Sequence, residues 1–139
     1  MSAAPHQGGH GPEVHDRTEE GSAVVDFVLV SVLVCAITLS LLQLGFALHV
    51  RNTLTWAASE GARAGARTGM TLEQGAARSQ DLVTQSLSAR YAQDVHVLRR
   101  VENGVAVVEV QITAPLPVIA LWGPPGAVTT RGRAFAEDQ

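Results

Sequence analysis

A chain of 139 residues with a formal net charge of −3 has room for one domain at most once any membrane segment is set aside. That charge carries no nucleic-acid footprint. The single cysteine, Cys35, excludes an intrachain disulfide and any paired-cysteine zinc pattern.

Residues 1–21 are polar and rich in Gly, Pro and His, with no apolar periodicity. Such a segment buries too little surface to offset its chain entropy, and a disordered leader is expected. His6, His10 and His15 are irregularly spaced, which fits a solvated tail better than a metal-binding tract. A secretory signal peptide would need a basic start and a short apolar stretch. Here Glu13, Asp16, Glu19 and Glu20 face a single Arg17, and the apolar run that follows is too long.

That run, Phe27 to Leu48, contains no charged residue and is long enough to cross a bilayer as a helix. Helix is the only open geometry there, because lipid offers no partner for backbone N–H and C=O groups. Ser31, Thr38 and Ser40 are compatible with insertion, since each can bond back to a carbonyl one turn earlier. Gln43 is expected to face a neighbouring helix, and Cys35 to act as a small packing residue. The partner implied at this level is membrane lipid.

Helical pattern continues past the polar boundary at His49, Arg51 and Asn52, with Trp56 as an interfacial anchor. In LTWAASEGARAGART, small residues recur at four-residue spacing in two rows. One row is Ala57, Gly61, Gly65 and Gly69; the other is Ala58, Ala62 and Ala66. Such rows let another helix, or the domain behind, approach the backbone closely. A weak Ala-rich helix set by composition alone is the competing reading. A continuous helix from Phe27 to Thr68 would span roughly 60 Å.

Just before the run, Gly21-Ser22 is followed four residues later by the lone carboxylate Asp26. An acid at a helix N-terminus is favoured by the helix dipole, and near lipid it calls for a counter-charge. Asp26 is therefore either a simple cap at headgroup level or half of an assembly contact. A cut after Gly21 would free an α-amino group at Ser22, and a neighbouring subunit's amine could then neutralise Asp26.

DRTEEGSAVVDFVLV, followed by QLGFALHVRNTLTWAASEGARAGART, resembles the TadE-like proteins, minor pilins or pseudopilins of tight-adherence (Flp-type) pilus systems. The resemblance is strongest over residues 16–68, and the repeated Gly-Ala-Arg at 61–63 and 65–67 is its most specific part. It implies cleavage by a prepilin peptidase between Gly21 and Ser22, leaving Asp26 as the fifth residue. It also implies partners: other pilin subunits and tight-adherence assembly proteins, with oligomerisation through the N-terminal helix. The implied location is the cytoplasmic membrane, single-pass, N-terminus inside and C-terminal domain outside, with the pilus or cell surface after assembly. This chain departs from the pattern in three ways: it has Asp where Glu is usual, lacks the early proline, and carries acids before Gly21. Arginine without lysine, in an Ala/Gly/Val-rich chain, fits a GC-rich bacterial source. The arginines argue for a different topology. One, Arg17, precedes the span and three, Arg51, Arg63 and Arg67, follow it, which by the positive-inside rule favours a cytoplasmic C-terminus. Pairing of Arg63 with Glu60 at i,i+3 would weaken that bias.

Beyond Gly69, Thr71 and Gln74 have capping-box spacing, and a second helix is predicted over 71–91 with Leu72, Ala76, Val83 and Leu87 on its apolar face. Val95, Val97 and Val101 alternate with His96, Leu98 and Arg100, and Glu102-Asn103-Gly104 supplies a hairpin turn. The return strand over 105–113 places Ala106, Val108, Val110 and Ile112 on one face, with Glu109 and Gln111 on the other. Four prolines make 115–126 a loop, with Leu116, Ile119, Leu121 and Trp122 as packing residues. A third strand is predicted over 127–136, and residues 137–139 are expected to fray. The resulting fold class is α+β: a long N-terminal helix, a second helix and a small antiparallel sheet of about three strands. The expected domains are 1–21 leader, 22–68 transmembrane and extended helix, and 69–139 an extracytoplasmic αβ domain. The sheet needs helix packing for stability, and the extended first helix is the obvious partner.

No Walker loop, dinucleotide fingerprint, HExxH or nucleophile motif occurs. No catalytic or metal-ligating residues and no cofactor are expected. His96 reads as an ordinary strand residue and Arg99-Arg100 as a solvated hairpin edge. Two function classes follow: a structural pseudopilin processed at Gly21, or an unprocessed single-pass protein whose outer domain scaffolds another envelope component.

Overall fold

Helix α1, Asp16–Ala66, dominates the computed structural model, which describes residues 1–5, 8, 16–116 and 126–137, with the backbone alone for 16–20. It is followed by α2 (Leu72–Ser86), a 3₁₀ turn (Ala89–Tyr91) and three strands, β1 (Asp94–Glu102), β2 (Val105–Pro115) and β3 (Ala127–Phe135). The predicted α+β architecture is observed. The chain forms two compact units, Met1–Ser40 and Leu41–Gln139.

In the first unit α1 already includes Asp16, inside the stretch expected to be leader. From Val24 to Leu39 its large apolar side chains are at least half exposed, and Phe27 is 74% exposed. Thr38 Oγ1 donates to the Val34 carbonyl at 2.8 Å and Ser40 Oγ to that of Ala36 at 2.7 Å. Both hydroxyls are thereby satisfied within the helix, as a lipid-facing segment requires. Cys35, expected to be a packing residue, is exposed on this segment: in a single chain nothing covers it.

In the second unit, α1 supplies one wall of the core through Val50, Leu54, Ala57, Ala58 and Ala62. Opposite them stand Leu82 and Val83 of α2, Tyr91 and Ala92, and Val110, Ile112 and Ala114 of β2. The helix ends at a left-handed Gly69, φ +80°, which only glycine adopts readily. The orphan Ala66 carbonyl is capped from far along the sequence by the Glu137 N–H at 2.9 Å, and the Thr68 N–H donates to Glu137 Oε2 at 3.3 Å. Glu137 is thus held by the helix end, which corrects the expectation that the terminus frays from 137. Residues 138 and 139 lie outside the described residues.

α2 begins with the predicted capping box: Gln74 N–H donates to Thr71 Oγ1 at 3.2 Å and Thr71 N–H to Gln74 Oε1 at 2.8 Å. It stops at Ser86, so the stretch predicted to be helix up to 91 finishes as a 3₁₀ turn. Its buried face is Gly75, Ser79, Leu82 and Val83, whereas the predicted Leu72, Ala76 and Leu87 are only half-buried. Small size, invisible to an apolar-periodicity argument, selects Gly75 and Ser79 for that face.

The sheet order is β1-β2-β3, all antiparallel. Asn103 (φ 54°) and Gly104 (φ 81°) form the two-residue turn between β1 and β2, as a type I′ hairpin requires. Pairing places Val97, Val110 and Gly132 side by side, with Val95, Ile112 and Thr130 in the next rank, so this face packs on the core. Glu109, expected on the solvent face, does lie opposite the core but is only 3% exposed. Arg133 Nε lies 2.8 Å from its Oε2 and Arg131 Nε 3.8 Å from its Oε1. Cross-strand side chains on a central strand cover even an outward residue. Loop residues 117–125, with Ile119, Leu121 and Trp122, lie outside the described residues; Leu116 N–H donates to the Gly126 carbonyl at 2.9 Å and closes the loop's base. Leu116 itself is half-buried.

Candidate assembly and processing site

Gly21, Ser22 and Asp26 are all helical and exposed, and a Cβ added at Gly21 would meet nothing within 4 Å. The Gly21–Ser22 bond therefore lies within a helix turn, and Asp26 is ten residues into α1. In the uncut chain the helix dipole acts on earlier residues, because its influence is confined to the first turn. A new N-terminus at Ser22 would put Asp26 in that first turn. Below Asp26 comes the apolar segment, the one described helix long and apolar enough to cross a membrane, with none of its most apolar window buried. Gln43 is half-buried and Trp56 exposed.

The small-residue rows divide by position. Ala57, Ala58, Gly61, Ala62, Gly65 and Ala66 are buried; Gly69 is exposed beyond the helix end. Its task is the left-handed turn, and an added Cβ would touch nothing within 4 Å. The row Ala57-Gly61-Gly65 faces α2. A Cβ at Gly61 would collide with Ser79 Oγ and stand 2.6 Å from the Gly75 carbonyl oxygen, and a Cβ at Gly75 would lie 2.7 Å from the Gly61 carbonyl oxygen. Ser79 Oγ donates to the Ala57 carbonyl at 3.0 Å in this buried crossing. The Ala58 row faces the sheet: a Cβ at Gly132 would run into the Ala58–Ser59 peptide. Gly75, Ser79 and Gly132 were not singled out from the sequence. Gly75 and Ser79 do repeat the four-residue small spacing of α1, and that signal could have found them. Gly132 stands between two arginines with no periodic signal.

This packing is internal to the chain, so these small residues are occupied within one copy, while the apolar segment from Val24 to Leu48 stays uncovered. The arginines after the span differ in pairing: Arg63 NH1 contacts Glu60 Oε1 at 2.7 Å. His96 is exposed with Nε2 2.7 Å from Asp94 Oδ1, and Arg99 and Arg100 are exposed on β1. Among the described residues no group of three His, Cys, Asp or Glu could hold a metal ion.

Comparison with known proteins yields one family: the model for TadE-like protein matches residues 21–63, in agreement with the resemblance read from the sequence. No curated protein and no solved structure matches the chain. TadE-like proteins are not an enzyme family. The matched residues start at Gly21, include Asp26 and the exposed apolar segment, and end inside the small-residue rows, so the chain carries a TadE-like segment over residues 21–63, on a helix long and apolar enough to cross a membrane.

Proposed function

We propose that this chain is a minor pilin or pseudopilin, cut between Gly21 and Ser22 by a prepilin peptidase and assembled with other pilin subunits through the exposed helix. The observation that carries the reading is the helix itself. Its large apolar side chains stay exposed in a single copy, and it opens with one carboxylate five residues into the chain that cleavage at Gly21 would produce. Exposed apolar surface suits lipid before assembly and neighbouring helices after it. Asp26, unpaired among the described residues, would meet the freed Ser22 amine of a neighbour. In the proposed topology residues before the span face the cytoplasm and the αβ portion lies outside. Of the three arginines that oppose that orientation, Arg63 contacts Glu60.

Intact mass of the membrane-extracted protein tests this directly. A species beginning at Ser22, lost when Gly21 is substituted, is expected; residues 1–21 still attached would overturn processing. A reporter fused after Gln139 that is active only in the cytoplasm would overturn the topology. Asp26→Ala is expected to insert normally and to lose co-assembly with the major pilin.

One observation favours the second reading, an unprocessed single-pass anchor whose outer domain scaffolds another envelope component. The helix runs unbroken through Gly21 and Ser22, and a peptide bond within a helix must unwind before a peptidase can hold it extended. Gly21 lowers that barrier, since glycine costs a helix about 1 kcal/mol relative to alanine.

A further inference from the structure

The uncut chain holds the Gly21–Ser22 bond inside a helix. α1 begins at Asp16, so residues 16–21 precede the bond, fewer than two helical turns. Beyond the bond the same helix runs unbroken to Ala66. In an α-helix the amides of Gly21 and Ser22 reach carbonyls four residues earlier, and the chain rises about 1.5 Å per residue. A peptide held extended for hydrolysis rises about 3.3 Å per residue and has its backbone groups free for the enzyme. The bond must therefore leave the helix before water can be added across it, giving a carboxylate on Gly21 and an α-amine on Ser22.

Only one stretch of α1 can unwind cheaply. The apolar run from Phe27 to Leu48 must stay helical in lipid, where freed backbone groups find no partner. From Val50 to Ala62 the helix is a wall of the core. Residues 16–26 belong to neither. Residues 21–30 are exposed, and a Cβ placed on Gly21 would meet no atom within 4 Å. No packing props this turn, so its stability is set by local helix propensity. Gly21 is its weak point, because glycine lowers the helix equilibrium about fivefold relative to alanine. Fraying from Asp16 then reaches Ser22 while the run from Phe27 keeps its hydrogen bonds.

We propose that residues 16–26 of α1 are a latch on processing: while helical they withhold the Gly21–Ser22 bond, and the rate of cleavage follows how readily this stretch unwinds. The latch rests on the proposed cleavage at Gly21 and adds its control. The test uses the full-length chain in nanodiscs with two measurements. Amide hydrogen exchange at Gly21 and Ser22 is followed without peptidase, and the single-turnover rate of cleavage is followed by intact mass with it. Thr18→Gly should exchange, and be cut, about fivefold faster than Thr18→Ala, the ratio of their helix equilibria. Gly8→Ala, outside α1, should change neither measurement. Exchange of the wild-type Gly21 amide at the rate of a free chain would overturn the latch. So would a cleavage rate that changes without a matching change in exchange, which would mark position 18 as a peptidase contact. Equal cleavage of the two Thr18 variants would overturn the latch and leave processing intact. No cleavage of any chain, with the Gly21 amide still protected, would overturn processing and the latch with it.

Discussion

Replacing Gly61 by alanine should destabilise the second unit, whereas the same change at Gly65, one turn along the same helix, should not. In both cases alanine improves helix propensity by about 1 kcal/mol. The surroundings decide the sign. A methyl at Gly61 would collide with Ser79 Oγ and stand 2.6 Å from the Gly75 carbonyl oxygen. Ser79 cannot swing aside freely, because its hydroxyl donates to Ala57 at 3.0 Å in a buried position. Overpacking costs about 1–3 kcal/mol, and loss of that hydrogen bond adds about 1 kcal/mol. The net cost of Gly61→Ala is therefore about 1–3 kcal/mol. At Gly65 the nearest atom, Gly75 Cα, would be 3.4 Å from the methyl, with the next two at 3.6 Å. Those are ordinary contacts, so the expected outcome is neutral to stabilising by about 0.4–1 kcal/mol. Thermal melts of the detergent-solubilised full chain, followed by near-ultraviolet circular dichroism, report the difference. For a domain of this size each kcal/mol moves Tm by about 4–8 °C. Ser79→Gly combined with Gly61→Ala should recover part of the loss, since residues in contact couple. Equal shifts at Gly61 and Gly65, or no recovery in the double variant, would refute the close-crossing argument.

Thr71→Ala removes the hydroxyl half of the capping box at α2, leaving the Thr71 N–H on Gln74 Oε1, and should cost about 1 kcal/mol in the same melts. Arg133→Ala should cost about 1–3 kcal/mol, because it leaves the nearly buried Glu109 carboxylate with only the more distant Arg131. Glu109→Val should be close to neutral, since replacing a covered ion by an apolar strand residue removes the desolvation cost together with the pair. If Glu109→Val proves as harmful as Arg133→Ala, the pair contributes more than desolvation arithmetic allows. Gly69→Ala should destabilise by about 1 kcal/mol through its left-handed backbone alone, despite the empty space around it.

Elements with a strong local code were legible in advance. The apolar run, the Thr71–Gln74 box and the Asn103-Gly104 turn each state their conformation within a few residues, and each appears where the sequence placed it. The Glu60–Arg63 pair was legible for the same reason, three residues apart on one helix. What could not be read depends on long-range partners. Burial of Glu109 requires Arg131 and Arg133 to arrive from β3, and capping of Ala66 requires Glu137 from the far end of the chain. Apolar periodicity places Val83 on the buried face of α2 but misses Gly75 and Ser79, which contribute nearness rather than hydrophobicity. Nearness can be read only once the facing row, Gly61 and Gly65, is known. Of the processing and assembly residues, the position of Asp26 relative to Gly21 was plain, but the helix continuing back to Asp16 was not. Nothing local before Ser22 marks a helix except the absence of proline between residues 13 and 21.

The core shows why residues 41–66 of α1 and the αβ portion form one folding problem. Val50, Leu54, Ala57, Ala58 and Ala62 are five of the twelve buried residues of the core cluster, and all five belong to α1. A chain beginning at residue 69 would keep α2 and all three strands yet lose the wall on which Val110, Ile112 and Gly132 rest. About 70 residues are already marginal for an independent core, and a three-stranded sheet needs a packed face. Residues 69–139 alone should therefore show little hydrogen-exchange protection in β2. Residues 41–139 in mild detergent should protect the β2 amides that pair with β1 and β3. Protection in the shorter chain equal to that in the longer one would show that the helix is an appendage. Protection confined to the longer chain would show that residues 41–66 are part of the folded core. On β3, Gly132 rests on the Ala58–Ser59 peptide with no room for a side chain between them.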